Sequence, residues 1–496
     1  MFYDYEVTMM TLAEQIARFA VNLNFEDLPQ RIVKKAKEQM LGIIAAIYAG
    51  SETLPGKIIT KTVQDWGDRE EASLIPSGFK TSVRTAILAN SSIAIALDYD
   101  DYLLSGHTGN SAVPVSLALG EKLEKTGKEI LSAQILANEI EGRLGTSVFV
   151  GPQNGQCWSY IHLIGGAVAA GKLLGLEQSQ MTNAIGISLS TSTFPILRGF
   201  FGPNSKLLTT GIPAQLGVQA AFFAMNGFTG AADIIENPIG FCNMMADIPL
   251  QFMVTSALGE AWVTDTICYK LYPGCAYIDG IADCMVKILE RNPSLNPDGI
   301  EEITVYSSIL TSVMNDLAIP YASLEYLQKE KSPVALNFSI PYNVAVMLID
   351  KELTPKQFTE ERILDPKVHE LAKKVRIMND ISTSMDILEA LPSINIPSLR
   401  EIIKGKFSLK DANLEKIKVG FGAKVKIKMK NGKILRSAQK TPLGSPGNYV
   451  PLEKKYRQEA SAIKFPDEKI QNAIDLVDSL EQLSNIRELI SHFTIS

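Results

Sequence analysis

Ser159 to Leu176 reads SYIHLIGGAVAAGKLLGL, the longest apolar run in the chain, and its reading decides the fold. A membrane span needs roughly 20 predominantly apolar residues. Here His162 and Lys172 interrupt the run, and its glycines and alanines leave a helix surface with little side chain on it. Small residues let backbones approach closely, so the stretch reads as a packed core helix of a soluble protein.

The same texture extends outward on both sides. VKKAKEQMLGIIAAIYAG (33–50), RTAILANSSIAIALDYD (84–100), VPVSLALGEKLEKTG (113–127), KEILSAQILANEIEGRLG (128–145) and LGVQAAFFAMNGFTG (216–230) repeat apolar residues three and four apart. No convincing strand interrupts them, which predicts an all-helical domain over residues 1–266. After Cys268 the pattern mixes helix with strand: EEITVYSS (301–308) alternates, and AKVKIKMKNGKILRSAQK (423–440) carries Asn431-Gly432 between two alternating runs, a hairpin signal. A second, α+β domain is expected over residues 267–448. Helical texture returns after about Pro451, and helices in 449–496 are expected to pack back on the first domain.

At 496 residues, 46% hydrophobic and 21% charged, the chain is long enough for two or three domains and should be folded throughout. A net charge of -6 and a pI near 5.5 speak against nucleic acid as the main partner, while leaving room for a local basic pocket. The five cysteines form no CxxC pair and stand near no histidine at metal-ligand spacing, so they read as reduced thiols of a cytoplasmic protein. The N-terminal MFYDYEVTMMTLAEQIARFAVNL begins acidic and becomes an amphipathic helix, so neither export nor membrane anchoring is expected.

Candidate chemistry gathers in three stretches. LDYDDYLLSGHTGNSAVP (97–114) packs Asp98, Asp100, Asp101 and His107, one of four histidines, into a connection expected to end where Pro114 starts the next helix. Asp100 and Asp101 have an ordinary reading as solvated or capping groups. Asp98 follows IAIAL directly and is expected on a partly buried edge, and the glycines around His107 would admit a ligand. RGFFGPNSKLLTTG (198–211) brings Arg198 and sets Lys206 at the start of a helix, where a carboxylate or phosphate would be favoured. CYKLYPGCAYIDGIADC (268–284) offers Lys270, Tyr272, Tyr277, Asp279 and Asp283, with no histidine nearby to activate a cysteine. His162 reads as a packed core residue, and the lysines of AKVKIKMKNGK as the solvated face of an edge hairpin.

The order of these motifs, together with GGAVAAGKLLGL, FSIPYNVAVMLID, LDPKVHELAKKV and PGNYVPLEKKY, resembles the MmgE/PrpD family across nearly the whole chain. The resemblance implies a mainly α protein in which the α+β part is a smaller lid over a large all-helical domain, with the active site between them, and a homodimer. It also implies a cofactor-free and metal-free lyase or epimerase of a small di- or tricarboxylic acid, of the kinds that dehydrate 2-methylcitrate, decarboxylate cis-aconitate or epimerise iminodisuccinate. Such reactions move a proton beside a carboxylate while cations hold the anion. By position, His107 would transfer the proton, Asp98 would orient it, and Lys206 would clamp a substrate carboxylate. Lys270, Arg198 and Cys157 would help bind the substrate.

Three positions depart from the family pattern. Tyr102 stands where a threonine is usual, Asp279 where a histidine is usual, and Cys157 where many members carry a histidine before the glycine-rich helix. An anion at Asp279 is expected to repel a tricarboxylate, favouring an epimerase or a lyase of a less charged acid. Two other readings stay open: a metal-dependent hydrolase using Asp98, Asp101 and His107, and a non-catalytic carboxylate-binding relative.

Overall fold

The computed structural model describes residues 10–103, 106–151, 158–193, 197–384, 408–417 and 420–495. The protein is mainly α. Among the described residues nine helices build the first part: α1 (Leu12–Asn22), α2 (Gln30–Ser51), α3 (Leu54–Asp65), α4 (Val83–Ala94), α5 (Gly109–Leu123), α6 (Gly127–Ser147), α7 (Trp158–Leu174), α8 (Gln178–Ser190) and α9 (Leu208–Met225), followed by the short α10 (Phe241–Met245).

The run that opened the sequence forms α7, packed against α5, α6, α8 and α9. Its glycines are contact points: a Cβ on Gly166 would lie 2.5 Å from the Ala214 carbonyl oxygen, and one on Gly217 of α9 would lie 2.1 Å from that of Leu163. Glycine is therefore what allows α7 and α9 to meet backbone to backbone. The stretch Asn204–Met225 is long and apolar enough by composition to cross a membrane, yet over half of it is buried against α4, α7 and α8.

Two departures from expectation have causes in the structure. α5 starts at Gly109, five residues before Pro114, so the proline lies inside the helix. The Gly109 N–H donates to Asp101 Oδ1 (3.1 Å), supplying a side-chain acceptor at the helix start that spacing alone does not reveal. Strands do occur in the first part, as two-residue pairs: β1 (Ala72–Ser73) with β2 (Lys80–Thr81), and β3 (Asp101–Tyr102) with β4 (Cys268–Tyr269). The second pair ties the His107 connection to the start of the second part across more than 160 residues, a partner no local pattern can announce.

The second part carries α11 (Ala276–Arg291), α12 (Ile309–Ala318), α13 (Leu324–Glu330), α14 (Ile340–Asp350), α15 (Glu360–Ile363) and α16 (Pro366–Ala372) around a four-stranded sheet. Its strands β5 (Ile300–Ser307), β6 (Val375–Asn379), β7 (Ala423–Met429) and β8 (Ile434–Gln439) run in the order β6-β5-β7-β8, with β5 and β6 parallel and the other neighbours antiparallel. The expected hairpin is β7–β8, turning at Gly432 with φ of 85°. Val425 and Ile427 point inward to Ile281, Met285 and Val344, while Lys424, Lys426 and Lys428 alternate outward. The C-terminal helices α17 (Glu453–Ala462), α18 (Asp467–Asp478) and α19 (Arg487–Phe493) share a core with the first part, where Tyr456 packs on Tyr48 and Phe493.

Candidate functional site

The three aspartates of LDYDD are all buried, each 2% exposed, so the solvated reading of Asp100 and Asp101 is wrong. The chain turns sharply after α4: Asp98 adopts a left-handed φ of 52°, a conformation that costs a non-glycine residue about 1–2 kcal/mol. Lys270, which follows β4, holds it there by donating from Nζ to the Asp98 carbonyl (2.8 Å) and to Asp98 Oδ1 (2.9 Å). The same ammonium donates to Asp100 Oδ1 at 2.8 Å. Lys206, fully buried, faces Asp98 Oδ2 at 2.9 Å, with the rings of Phe338 and Phe200 at 4.7 and 5.4 Å.

His107 is oriented by Asp100, whose Oδ2 lies 2.6 Å from Nδ1, while Asp98 Oδ1 is 3.9 Å away. Asp100 is thus the close acidic partner, a role the sequence reading gave to Asp98. Asn110 Nδ2 donates to the same Asp100 oxygen at 2.5 Å. The ionised Asp100 accepts at this contact, which assigns the Nδ1 proton. Nothing in the LDYDD pattern separates the partner aspartate from its neighbours, because only the turn at Asp98 decides which carboxylate faces the ring.

Burial alone would raise the Asp98 and Asp100 carboxyls. The cations outweigh it: Lys206 and Lys270 hold Asp98 below the usual carboxylate range, and His107 and Lys270 hold Asp100 well below it. Burial works against the charge of Lys270 in the same way, and the two aspartates overcome it and keep the ammonium protonated far above its ordinary range. Two carboxylates then face two ammonium groups, and the cluster carries one positive charge whenever His107 is an imidazolium.

Neutral acids surround this ionised core. Burial first, and the Asp100 charge second, push Asp101 up to about 7. Asp279, in the first turn of α11, is pushed well above the carboxylate range by burial, against the pull of Lys270, and its Oδ1 has no hydrogen-bond partner among the described residues. The anion expected at this position is therefore a neutral carboxyl, a hydrogen-bond donor that does not repel a carboxylate. Tyr102 sits between the rings of His107 (6.4 Å) and Phe421 (6.2 Å), and burial raises its hydroxyl well above its usual range.

His162 is the packed core residue the sequence predicts, while its partners Ser111 and Glu141, and Lys455, escaped sequence reading. Beneath the His107 loop, Ser111 Oγ donates to Glu141 Oε1 (2.7 Å) and contacts His162 Nδ1 (2.6 Å), all three fully buried. Burial pulls His162 down to about 3 and raises Glu141 well above its ordinary value, so both are neutral. From α17, Lys455 Nζ donates to the backbone carbonyls of Tyr99 and of Lys270 (3.1 Å for the latter) and lies 3.7 Å over the Tyr99 ring. Burial lowers it to about 7, against the pull of Asp100 and Glu459.

Arg198 stands apart from the network, exposed, with its guanidinium 5.3 Å from the centre of the Tyr321 ring. Cys157 lies outside the described residues. Asp98, Asp100 and His107 offer ligand atoms within 4.8 Å of one another, the spacing of a metal site. The donor set fits a metal poorly, because two ammonium groups already meet its carboxylates at 2.8–2.9 Å and a divalent ion would sit beside two buried cations.

Two family models match the chain: the MmgE/PrpD N-terminal domain over residues 14–252 and the MmgE/PrpD C-terminal domain over residues 272–481. Similar curated proteins include a cis-aconitate decarboxylase of Aspergillus terreus, 26% identical over 96% of this chain and 94% of that protein. Human cis-aconitate decarboxylase is 22% identical over 96% of this chain and 93% of its own length. A cis-aconitate decarboxylase-like protein of Aspergillus oryzae is 24% identical over 56% of this chain and 61% of its own.

Proposed function

The chain belongs to the MmgE/PrpD family, and from that premise we propose that it is a lyase removing carbon dioxide from a small tricarboxylic acid, with cis-aconitate as the first candidate substrate. The observation that carries this reading is His107, locked through Nδ1 to an ionised buried aspartate beside two buried ammonium groups. The neutral Asp279 removes the charge objection to a tricarboxylate.

In this mechanism the bond from carbon to one substrate carboxylate breaks and carbon dioxide leaves. The electron pair passes into the adjoining double bond, and His107 Nε2 delivers a proton to the carbon that receives it. Asp100 steadies the imidazolium before transfer. Lys206, with one carboxylate oxygen against it, supplies the remaining donors of its ammonium group to a substrate carboxylate. Asp279 and Tyr102 donate hydrogen bonds to the substrate without adding charge.

Proton NMR in heavy water with cis-aconitate, 2-methylcitrate, citrate and hydroxy- or amino-dicarboxylates tests the reading. Loss of cis-aconitate with a deuterium-labelled decarboxylated product, absent in a folded His107→Ala variant, is the expected result. Turnover that survives the substitution removes His107 from the chemistry. Exchange without loss of carbon dioxide, seen only with a hydroxy- or amino-acid, would replace the lyase with an epimerase in which Asp279 accepts a bond from the substrate.

A further inference from the structure

The β7–β8 edge of the four-stranded sheet, together with the neighbouring α11, concentrates positive charge in one place. A cavity of about 540 Å³ is lined by Lys287 and Arg291 of α11, Lys424 and Lys426 of β7, Arg436 of β8 and Tyr306 of β5. Alternation along β7 explains part of this, since Lys424 and Lys426 share the outward face. The helix and the edge strand supply the rest.

Neighbouring cations on the same sheet have their carboxylates: Lys428 pairs with Glu301 at 2.6 Å and Arg376 approaches Glu302 at 3.5 Å. Inside the cavity Lys424 is met by Asp380 (2.7 Å) and Lys287 by the amide oxygen of Gln439. Arg291, Lys426 and Arg436 have no ion-pair partner among the described residues, in a chain whose net charge is -6. Cations that converge on a cavity without carboxylates of their own suit an anion brought from outside.

We propose that this cavity binds an oligophosphate anion, inorganic or carried on a nucleotide, at a site separate from the His107 cluster. Guanidinium forks and point-charged ammonium groups together suit a chain of phosphates, which offers several charged oxygens in a row. The volume lies within the usual range of about 300–1,000 Å³ for small-molecule sites. The half-buried Tyr306 offers an aromatic face to a base. Asp279 and Arg291 lie on one helix, twelve residues apart, which places the two sites about 18 Å from each other along α11.

Titration calorimetry of the full chain at low salt with inorganic triphosphate, ATP and citrate tests the site. The wild type should bind triphosphate saturably, and Lys426→Glu combined with Arg436→Glu should weaken that binding at least about tenfold. Thermal melts would show that the double variant is folded; the neutral pair Lys426→Gln and Arg436→Gln replaces it if charge reversal unfolds the sheet. ATP binding tighter than triphosphate assigns the nucleotide form, and equal or weaker binding assigns the phosphate chain alone. Absence of saturable binding by either phosphate, unchanged affinity in the variants, or citrate binding as tightly as triphosphate would each overturn the proposal.

Discussion

Replacing Asp100 by asparagine tests the centre of the site with almost no change of shape. Its carboxylate faces His107 Nδ1 at 2.6 Å, the Lys270 ammonium at 2.8 Å and Asn110 at 2.5 Å. In the variant Lys270 can still donate to the amide oxygen, but the new NH2 group confronts two other donors. A charge-assisted hydrogen bond contributes about 1.5–3 kcal/mol. If that stabilisation supports the imidazolium in the proton transfer, turnover should fall about 10- to 150-fold. Removing one carboxylate also leaves Lys206 and Lys270 facing a single anion, and breaking a buried pair in this way costs about 3–5 kcal/mol of stability. The assay is NMR-followed turnover of cis-aconitate across pH, beside urea melts. Because the imidazolium is the acting acid and loses its anionic support, the alkaline limb of the rate profile should move to lower pH. A folded variant with wild-type turnover and an unmoved profile would refute the assigned role of Asp100.

Other expectations follow from the same geometry. Asp101, raised to about 7 by burial and then by Asp100, keeps its proton in the fold where the unfolded chain has already released it, so its contribution to stability is lost as pH rises from about 4 to 7. Asp101→Asn should therefore gain melting temperature relative to wild type between pH 5 and pH 8, and a constant difference would contradict this. Asp279→Asn keeps a neutral donor of the same size, and turnover at pH 7 should stay within a factor of about 3; a drop of orders of magnitude would mean that the carboxyl itself moves a proton. Gly217→Ala sets a methyl group 2.1 Å from the Leu163 carbonyl oxygen, where no side-chain rotation can relieve it. Urea melts should show a loss of about 1–3 kcal/mol or more, and an unchanged midpoint would mean that α7 and α9 separate freely.

What the sequence made legible was local. The three- and four-residue spacing announced the helices, and Asn431-Gly432 announced the β7–β8 turn. His107, Asp98, Lys206, Lys270 and Asp279 were singled out from their surroundings, and four of them stand in one hydrogen-bonded or charge-paired network with Asp100. The errors came where distant segments decide. Lys270 reaches Asp98 across 172 positions, and that bond holds the left-handed turn that points Asp100 at the imidazole. Asp279 looked like an anion because its charge is local in sequence, whereas its protonation is set by burial that only the packed structure creates. Strand β6 went unread because RIMN follows a helix directly and finds its partner β5 some seventy residues earlier.

The reach of Lys455 has a consequence for how the protein is made. Its ammonium fixes the carbonyls of Tyr99 and Lys270 from a helix near the end of a 496-residue chain. A nascent chain still on the ribosome already contains every member of the His107 cluster once residue 279 has emerged, yet lacks the cation that fixes these two peptide groups. Synthesis must pass residue 455 before the last restraint on the turn at Asp98 arrives, and chains cut short before that point would accumulate as helical bodies with an unset cluster.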